Sequence, residues 1–303
     1  MQAWGRLLRV SLAPSAIADV LAGLVLAQGE LPGFGVSLAL VCASLAVYHG
    51  GMVLNDWADR RRDAIERPER PLPSGAIGPG AALGAGLALL VLGPLLASTQ
   101  GALALTWITV VALLALAYDL FGRGPWLGPA LLGLCRAGNL SFGLVAMESL
   151  ADLSPMLWCA PLVYGGYVFL VSRLGRYEDG EASEYPSSER RGPRPAMLLF
   201  GALLVSQLIP WLPLPEATWP GRLIALGLCL GLGWQLALCT RDLSRGWTRA
   251  LVMRSMGVAL SRLILFEAAL ASMARPPGGW WIAGLLIALF FASSKLRRWF
   301  PAS

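Results

Sequence analysis

The chain has 303 residues, of which 56% are hydrophobic and only 14% charged, and its mean hydropathy is +0.62. Soluble domains carry roughly a quarter charged residues, so this composition excludes a soluble globular fold and leaves a polytopic membrane protein. The five cysteines form no CxxC pair and His49 is the one histidine, which excludes a disulfide scaffold and a histidine-rich metal site.

A spanning helix needs about 20 apolar residues. Windows of that kind fall near residues 10–28, 34–54, 80–98, 101–119, 127–147, 155–174, 195–213, 220–240, 250–273 and 279–296. The start carries Arg6 and Arg9 before a run with no small-x-small cleavage site, so it reads as a first helix rather than a removed signal. Arg254, Arg262 and Glu267 interrupt the ninth window, which reads as a span or as an interfacial helix, the three charges neutralising one another or snorkelling. Charge placement decides for a span. With ten spans, the termini and every even-to-odd connection share one side, and that side carries all but five of the 24 basic residues. Of the five, Arg222 and Arg275 fall on the other side, and Arg136, Arg254 and Arg262 within spans. Such a bias follows the positive-inside rule. The expectation is a single domain over residues 1–303 with both termini cytoplasmic, in keeping with a bacterial inner membrane. The net charge of +6 is accounted for by basic residues at helix ends beside anionic headgroups, so no nucleic-acid partner is expected.

Two connections on the basic side, residues 55–79 and 173–194, are longer and more charged than the rest, and long loops with their own chemistry carry function. The first begins Asn55-Asp56-Trp57-Ala58-Asp59-Arg60-Arg61-Arg62-Asp63 with no helix breaker after Leu54. On a helix Asp56, Asp59 and Asp63 fall at i, i+3 and i+7 on one face, with Asn55 beside it. Stacked carboxylates repel unless a cation neutralises them, and magnesium takes hard oxygen ligands together with phosphate oxygens. A magnesium diphosphate site is one reading; a solvated helix end whose aspartates pair with Arg60, Arg61 and Arg62 is the other. The proline-stiffened segment from Arg67 to Gly75 favours the first, because Arg67 and Arg70 stand close to the aspartates and guanidinium groups hold phosphate oxygens. The second connection, with Arg173 before the acidic run Glu178, Asp179 and Glu181, places another possible set of metal ligands on the same side.

These motifs resemble the UbiA superfamily of intramembrane prenyltransferases. The resemblance rests on Asn55-Asp56-x-x-Asp59-x-x-x-Asp63 followed by Arg70-Pro71-Leu72-x-Ser74-Gly75, which looks most like the chlorophyll-synthase branch. Secondary similarities in Leu12-Ala13-Pro14, Tyr118-Asp119-Leu120-Phe121-Gly122-Arg123 and Gly133-Leu134-Cys135-Arg136-Ala137-Gly138-Asn139 point to an EboC-like branch. The resemblance implies an all-α bundle of nine to ten transmembrane helices with a central cavity, and Mg2+-dependent transfer of a prenyl group from an isoprenyl diphosphate to a lipophilic aromatic or alcohol acceptor. It implies that Asp56, Asp59 and Asp63 bind the metal, that Asn55 orients metal or diphosphate, and that Arg123 contacts the diphosphate. Two departures stand out. The family's second signature has aspartates spaced DxxxD, whereas Glu178-Asp179-Gly180-Glu181 is rearranged, and Tyr48 stands where relatives often have arginine. The rearrangement supports the alternative of a non-catalytic polyisoprenoid-lipid binding or carrier protein.

Ionisable residues at membrane depth are costly and are functional candidates by default. Arg136 and Asn139, one turn apart in the fifth window, are candidates for reaching substrate or for a structural pair. Asp19 is a candidate for polarising an acceptor hydroxyl or for balancing Arg136, and His49 for a proton acceptor or a packing histidine. Tyr118 and Trp57 border the acidic face. Trp211, Trp219, Trp280, Trp281 and Trp299 lie at window ends, as interfacial anchors do.

Overall fold

The computed structural model describes residues 2–122, 124–147, 150–179 and 193–299, with backbone only for 178–179 and 296–299. Among the described residues every regular element is helical. A short α1 (Gln2–Leu7) precedes α2 (Ala13–Gln28), α3 (Phe34–Glu66), α4 (Pro79–Ser98), α5 (Ala102–Phe121) and α6 (Leu127–Val145). Then come α7 (Cys159–Asp179), α8 (Arg194–Ser206), α9 (Trp219–Ser244), α10 (Arg249–Ser261), α11 (Leu263–Ser272) and α12 (Gly278–Trp299). Eight helical segments of the described chain are long and apolar enough to cross a membrane. The other two apolar helices, α2 and α6, carry buried polar residues: Asp19 in one, Arg136 and Asn139 in the other. This is a multi-pass, all-α membrane protein.

Small residues set how closely the helices approach. Gly23 on α2 faces Gly143 on α6, and a Cβ on either would strike the other helix's backbone. Close backbone approach of this kind is how membrane helices associate where no hydrophobic force separates protein from lipid. It also brings Asp19 of α2 beside Asn139 of α6. Gly86 against Leu54, and Gly93 against Val47, do the same for α4 on α3. One core layer, formed by Val20, Leu24, Leu40, Val47, Ile108 and Phe142, fills the space between α2, α3, α5 and α6. A larger one around Tyr164, Tyr167, Leu199, Leu232 and Phe266 fills the space among α7 to α12.

The ninth window is a broken helix. Its α10 and α11 meet at Arg262, and 67% of its apolar window is buried, so it is an inner element and not an interfacial one. The break frees backbone groups that the hydrocarbon cannot satisfy; the Tyr167 hydroxyl donates to the Ala259 carbonyl at 3.0 Å. Arg262 caps the break, donating to Gln235 Oε1 at 2.6 Å and to the Ser261 hydroxyl.

Candidate functional site

With 33 residues at 1.5 Å each, α3 is about 50 Å long against about 30 Å of hydrocarbon. Its last turns run past the apolar layer, and those turns carry the aspartates. Asp56 and Asp63 are buried on one face of α3, with relative exposures of 2% and 4%, and Asp59 is half-buried between them. Arg70 Nη1 lies 2.8 Å from Asp63 Oδ2 and 3.6 Å from Asp56 Oδ1, and is itself buried. The expected closeness of Arg70 to the triplet is therefore present. Arg67 closes α3, its N–H donating to the Asp63 carbonyl at 2.8 Å. Arg60 stacks over Trp57, and Arg62 pairs with Glu66 at 2.8 Å.

The residue that sequence reading missed is Arg9. Its Nη2 lies 2.9 Å from Asp56 Oδ1, although the two are 47 positions apart. It sits in the left-handed region at φ +49°, uncommon for a residue with a Cβ and a pointer to a functional constraint. That turn folds α1 back over the aspartate face. Leu7 is buried with Val53, Leu72, Ile77 and Ala82, His49 Nδ1 lies 2.7 Å from the Leu8 carbonyl oxygen, and Arg6 donates to the Glu69 carbonyl at 3.5 Å. His49 is thus an anchor for this strap. Burial opposes the Arg9 charge, but Asp56 with Tyr48 and Tyr118 outweighs it and holds its pKa above the ordinary arginine value. Tyr118 is near enough to contribute to that effect.

The C-terminal end of α5 closes the other side. Asp119 is buried, and the Asn55 side chain lies close enough to act on it. At the end of α7, Arg173 lies 4.3 Å over the Trp126 ring and Arg176 donates to the Gly122 carbonyl at 2.6 Å. The two acidic connections therefore leave from the same end of the bundle. Arg123 and Glu181 lie outside the described residues, as do the side chains of Glu178 and Asp179.

Arg136 and Asn139 join a second cluster, around Tyr164. Arg136 Nη1 lies 3.1 Å from Asp19 Oδ2, and its Nη2 lies 3.7 Å from Glu267 Oε1. It also donates to the Tyr164 hydroxyl at 2.8 Å, and that oxygen lies 2.7 Å from Asp19 Oδ1 and 2.5 Å from Glu267 Oε1. Asn139 donates to Asp19 at 2.8 Å and accepts from Ser44 at 2.7 Å. Asp19 does balance Arg136. Glu267, expected to neutralise Arg254 and Arg262, instead belongs here: the helix break turns Arg262 toward Gln235, and Arg254 is exposed. Five helices, α2, α3, α6, α7 and α11, are tied by this cluster.

Among the described residues no three Asp, Glu, His or Cys side chains converge as a ready metal cage. Magnesium does not need one, since it is held by one or two carboxylates together with substrate phosphates and water. Asp56 Oδ2 and Asp119 Oδ2 are buried and make no hydrogen bond; buried carboxylate oxygens without donors are costly, and a cation with its waters would satisfy them. The donor set fits magnesium, with Arg9 and Arg70 supplying positive charge at the same place.

A multi-pass helical bundle carrying buried carboxylates and arginines at one end is the class that fold and site define. The chain belongs to the UbiA prenyltransferase family, whose model matches residues 16–258. It is 31% identical over 176 residues to the digeranylgeranylglyceryl phosphate synthase of Ignicoccus hospitalis, covering 57% of each chain. It is 36% identical over 129 residues to the bacteriochlorophyll synthase 33 kDa chain of Rhodobacter capsulatus, covering 40% of this chain and 41% of that one. The matches to the first of these curated relatives span 40% to 64% of their length. Among solved structures, a UbiA homolog from Archaeoglobus fulgidus bound to DMAPP and Mg2+ superposes with a TM-score of 0.62 at 14% identity, covering 96% of this chain and 98% of that one. At such identity the likeness shows the fold.

Proposed function

We propose that the protein transfers a prenyl group from an isoprenyl diphosphate to a lipophilic alcohol or aromatic acceptor in a Mg2+-dependent reaction within the membrane. The observation that carries this reading is the burial of Asp56 and Asp63 on one face of α3 against Arg9 and Arg70. Relatives named as synthases of a prenylated glyceryl phosphate and of bacteriochlorophyll support it, as does the homolog solved with DMAPP and Mg2+.

Asp56, Asp59 and Asp63 would hold the metal, and Asn55, Arg67, Arg70, Arg123 and Arg173 the diphosphate, with Tyr118 beside them. Arg9 joins that set. Bound magnesium supplies Lewis-acid stabilisation of the leaving diphosphate. The arginines add fixed positive charge where the departing oxygen becomes negative, and the apolar bundle keeps water from the allylic carbon. Arg136 and Asn139 face inward from α6, where an acceptor would meet the prenyl carbon. The second set of ligands would come from Glu178, Asp179 and Glu181. The whole chain acts as one domain, in a bacterial inner membrane with both termini and the diphosphate site cytoplasmic.

The test uses the purified protein in lipid with magnesium, farnesyl or geranylgeranyl diphosphate and a membrane-lipid extract, following diphosphate release and prenylated products by mass spectrometry. Magnesium-dependent product that is lost in Asp59→Ala is expected. A donor that binds but survives intact across chain lengths and extracts would overturn the transferase reading in favour of a lipid carrier.

A further inference from the structure

We infer that Asp119, at the end of α5, is a positioning residue of the diphosphate site that acts through Asn55 and through the water shell of the bound cation. The inference rests on the magnesium diphosphate reading of the site. Three observations carry it. Asp119 is 7% exposed, so its carboxylate has given up bulk water. The Asn55 side chain lies close enough to act on it, which puts the amide that begins the Asn55-Asp56 pair beside this carboxylate. Its other oxygen, Oδ2, is buried with no hydrogen-bond partner.

A buried carboxylate oxygen without a donor is retained where a ligand supplies one. The surroundings say what kind. Asp56 and Asp59 of α3 and Arg9 of the strap are the charged groups that act on Asp119, so a diphosphate carrying a hydrated divalent cation would enter between a carboxylate-rich α3 and the end of α5. Magnesium keeps several of its waters when carboxylates bind it, and those waters are hydrogen-bond donors directed outward. Asp119 Oδ2 would accept from one of them. Carboxylates that hold a ligand's partner in this way tune metal affinity by about 10- to 100-fold. The arrangement also gives the site a carboxylate from a helix other than α3, one independent of the rearranged run from Glu178 to Glu181.

The experiment measures Mn2+ binding to the full chain in lipid nanodiscs by electron paramagnetic resonance, with inorganic diphosphate as co-ligand, so that catalysis is not the readout. Asp119→Asn keeps the side-chain volume but turns the second oxygen into an amide donor facing the cation. Its Mn2+ affinity is expected to fall at least about tenfold with little change in thermal stability. Asp119→Ser is the second variant should the first fail to fold, with the same fall expected. In an Asn55→Ser background, Asp119→Asn is expected to cost less than it does alone, because part of its effect runs through Asn55. Unchanged Mn2+ affinity in the folded Asp119 variant, or full additivity with Asn55→Ser, overturns the inference. If wild type binds Mn2+ with diphosphate, and binding is lost in Asp56→Asn but kept in Asp119→Asn, the metal site stands and the role of Asp119 falls. If wild type binds no Mn2+, both fall together.

Discussion

Removal of the Arg70 side chain tests whether arginine and metal serve the same carboxylates. Arg70 is 5% exposed and holds Asp63 at 2.8 Å while lying 3.6 Å from Asp56. Arg70→Leu keeps the apolar stem and deletes the charge. Stranding one partner of a buried ion pair costs about 3–5 kcal/mol, a large part of the stability of an ordinary domain. The expected outcome in nanodiscs is a thermal midpoint lowered by several degrees in the absence of divalent cation. Magnesium then neutralises the stranded carboxylates and returns part of the loss, about 2.7 kcal/mol at a hundredfold excess over its Kd. Wild type, in which the arginine already satisfies Asp63, gains less from the same magnesium. The measurement is the difference between the two magnesium-induced shifts. A variant as stable as wild type without metal, or one that magnesium does not favour, would refute the shared use of these carboxylates.

Asp56→Ala and Asp59→Ala should each lower magnesium-dependent diphosphate release by about a hundredfold or more, since an electrostatic group at the leaving oxygen is worth that much; release assays with labelled donor check it. Tyr164→Phe removes the hydroxyl between Arg136, Asp19 and Glu267 and should cost about 1–3 kcal/mol of stability without altering the dependence of activity on magnesium, read by thermal shift and by a magnesium titration. Gly143→Leu drives a side chain into the α2 backbone at Val20 and Gly23 and should exceed the usual 1–3 kcal/mol of core overpacking, seen as loss of folded protein on size-exclusion chromatography.

Local patterns were the legible part. The apolar window at 80–98 corresponds to Pro79–Ser98, and that at 220–240 to Trp219–Ser244, because an uninterrupted run of about 20 apolar residues is a strong signal for a span. The aspartate triplet was legible because helical spacing turns i, i+3 and i+7 into one face. What was not legible is which charges meet. Arg9 sits by Asp56 because of a left-handed turn, and that turn also starts α2 at Ala13 rather than near residue 10. Glu267 was assigned to the arginines nearest it in sequence, yet the break at Arg262 separates their surroundings, and close packing of α2 on α6 brings Asp19 and Arg136 to it instead.

The cluster of Asp19, Arg136, Tyr164 and Glu267 also imposes an order on biogenesis. A nascent chain delivers its spans to the membrane from the N-terminus onward, and a charged side chain at membrane depth is expensive until it finds a partner. Asp19 arrives with the first span and waits for Arg136 in the fifth; Glu267 arrives with the ninth and completes the set. The newly inserted bundle therefore holds an open bracket through most of its synthesis, and the short α11 closes it. Chains that end before α11 leave Arg136 with Asp19 as its one carboxylate from this cluster.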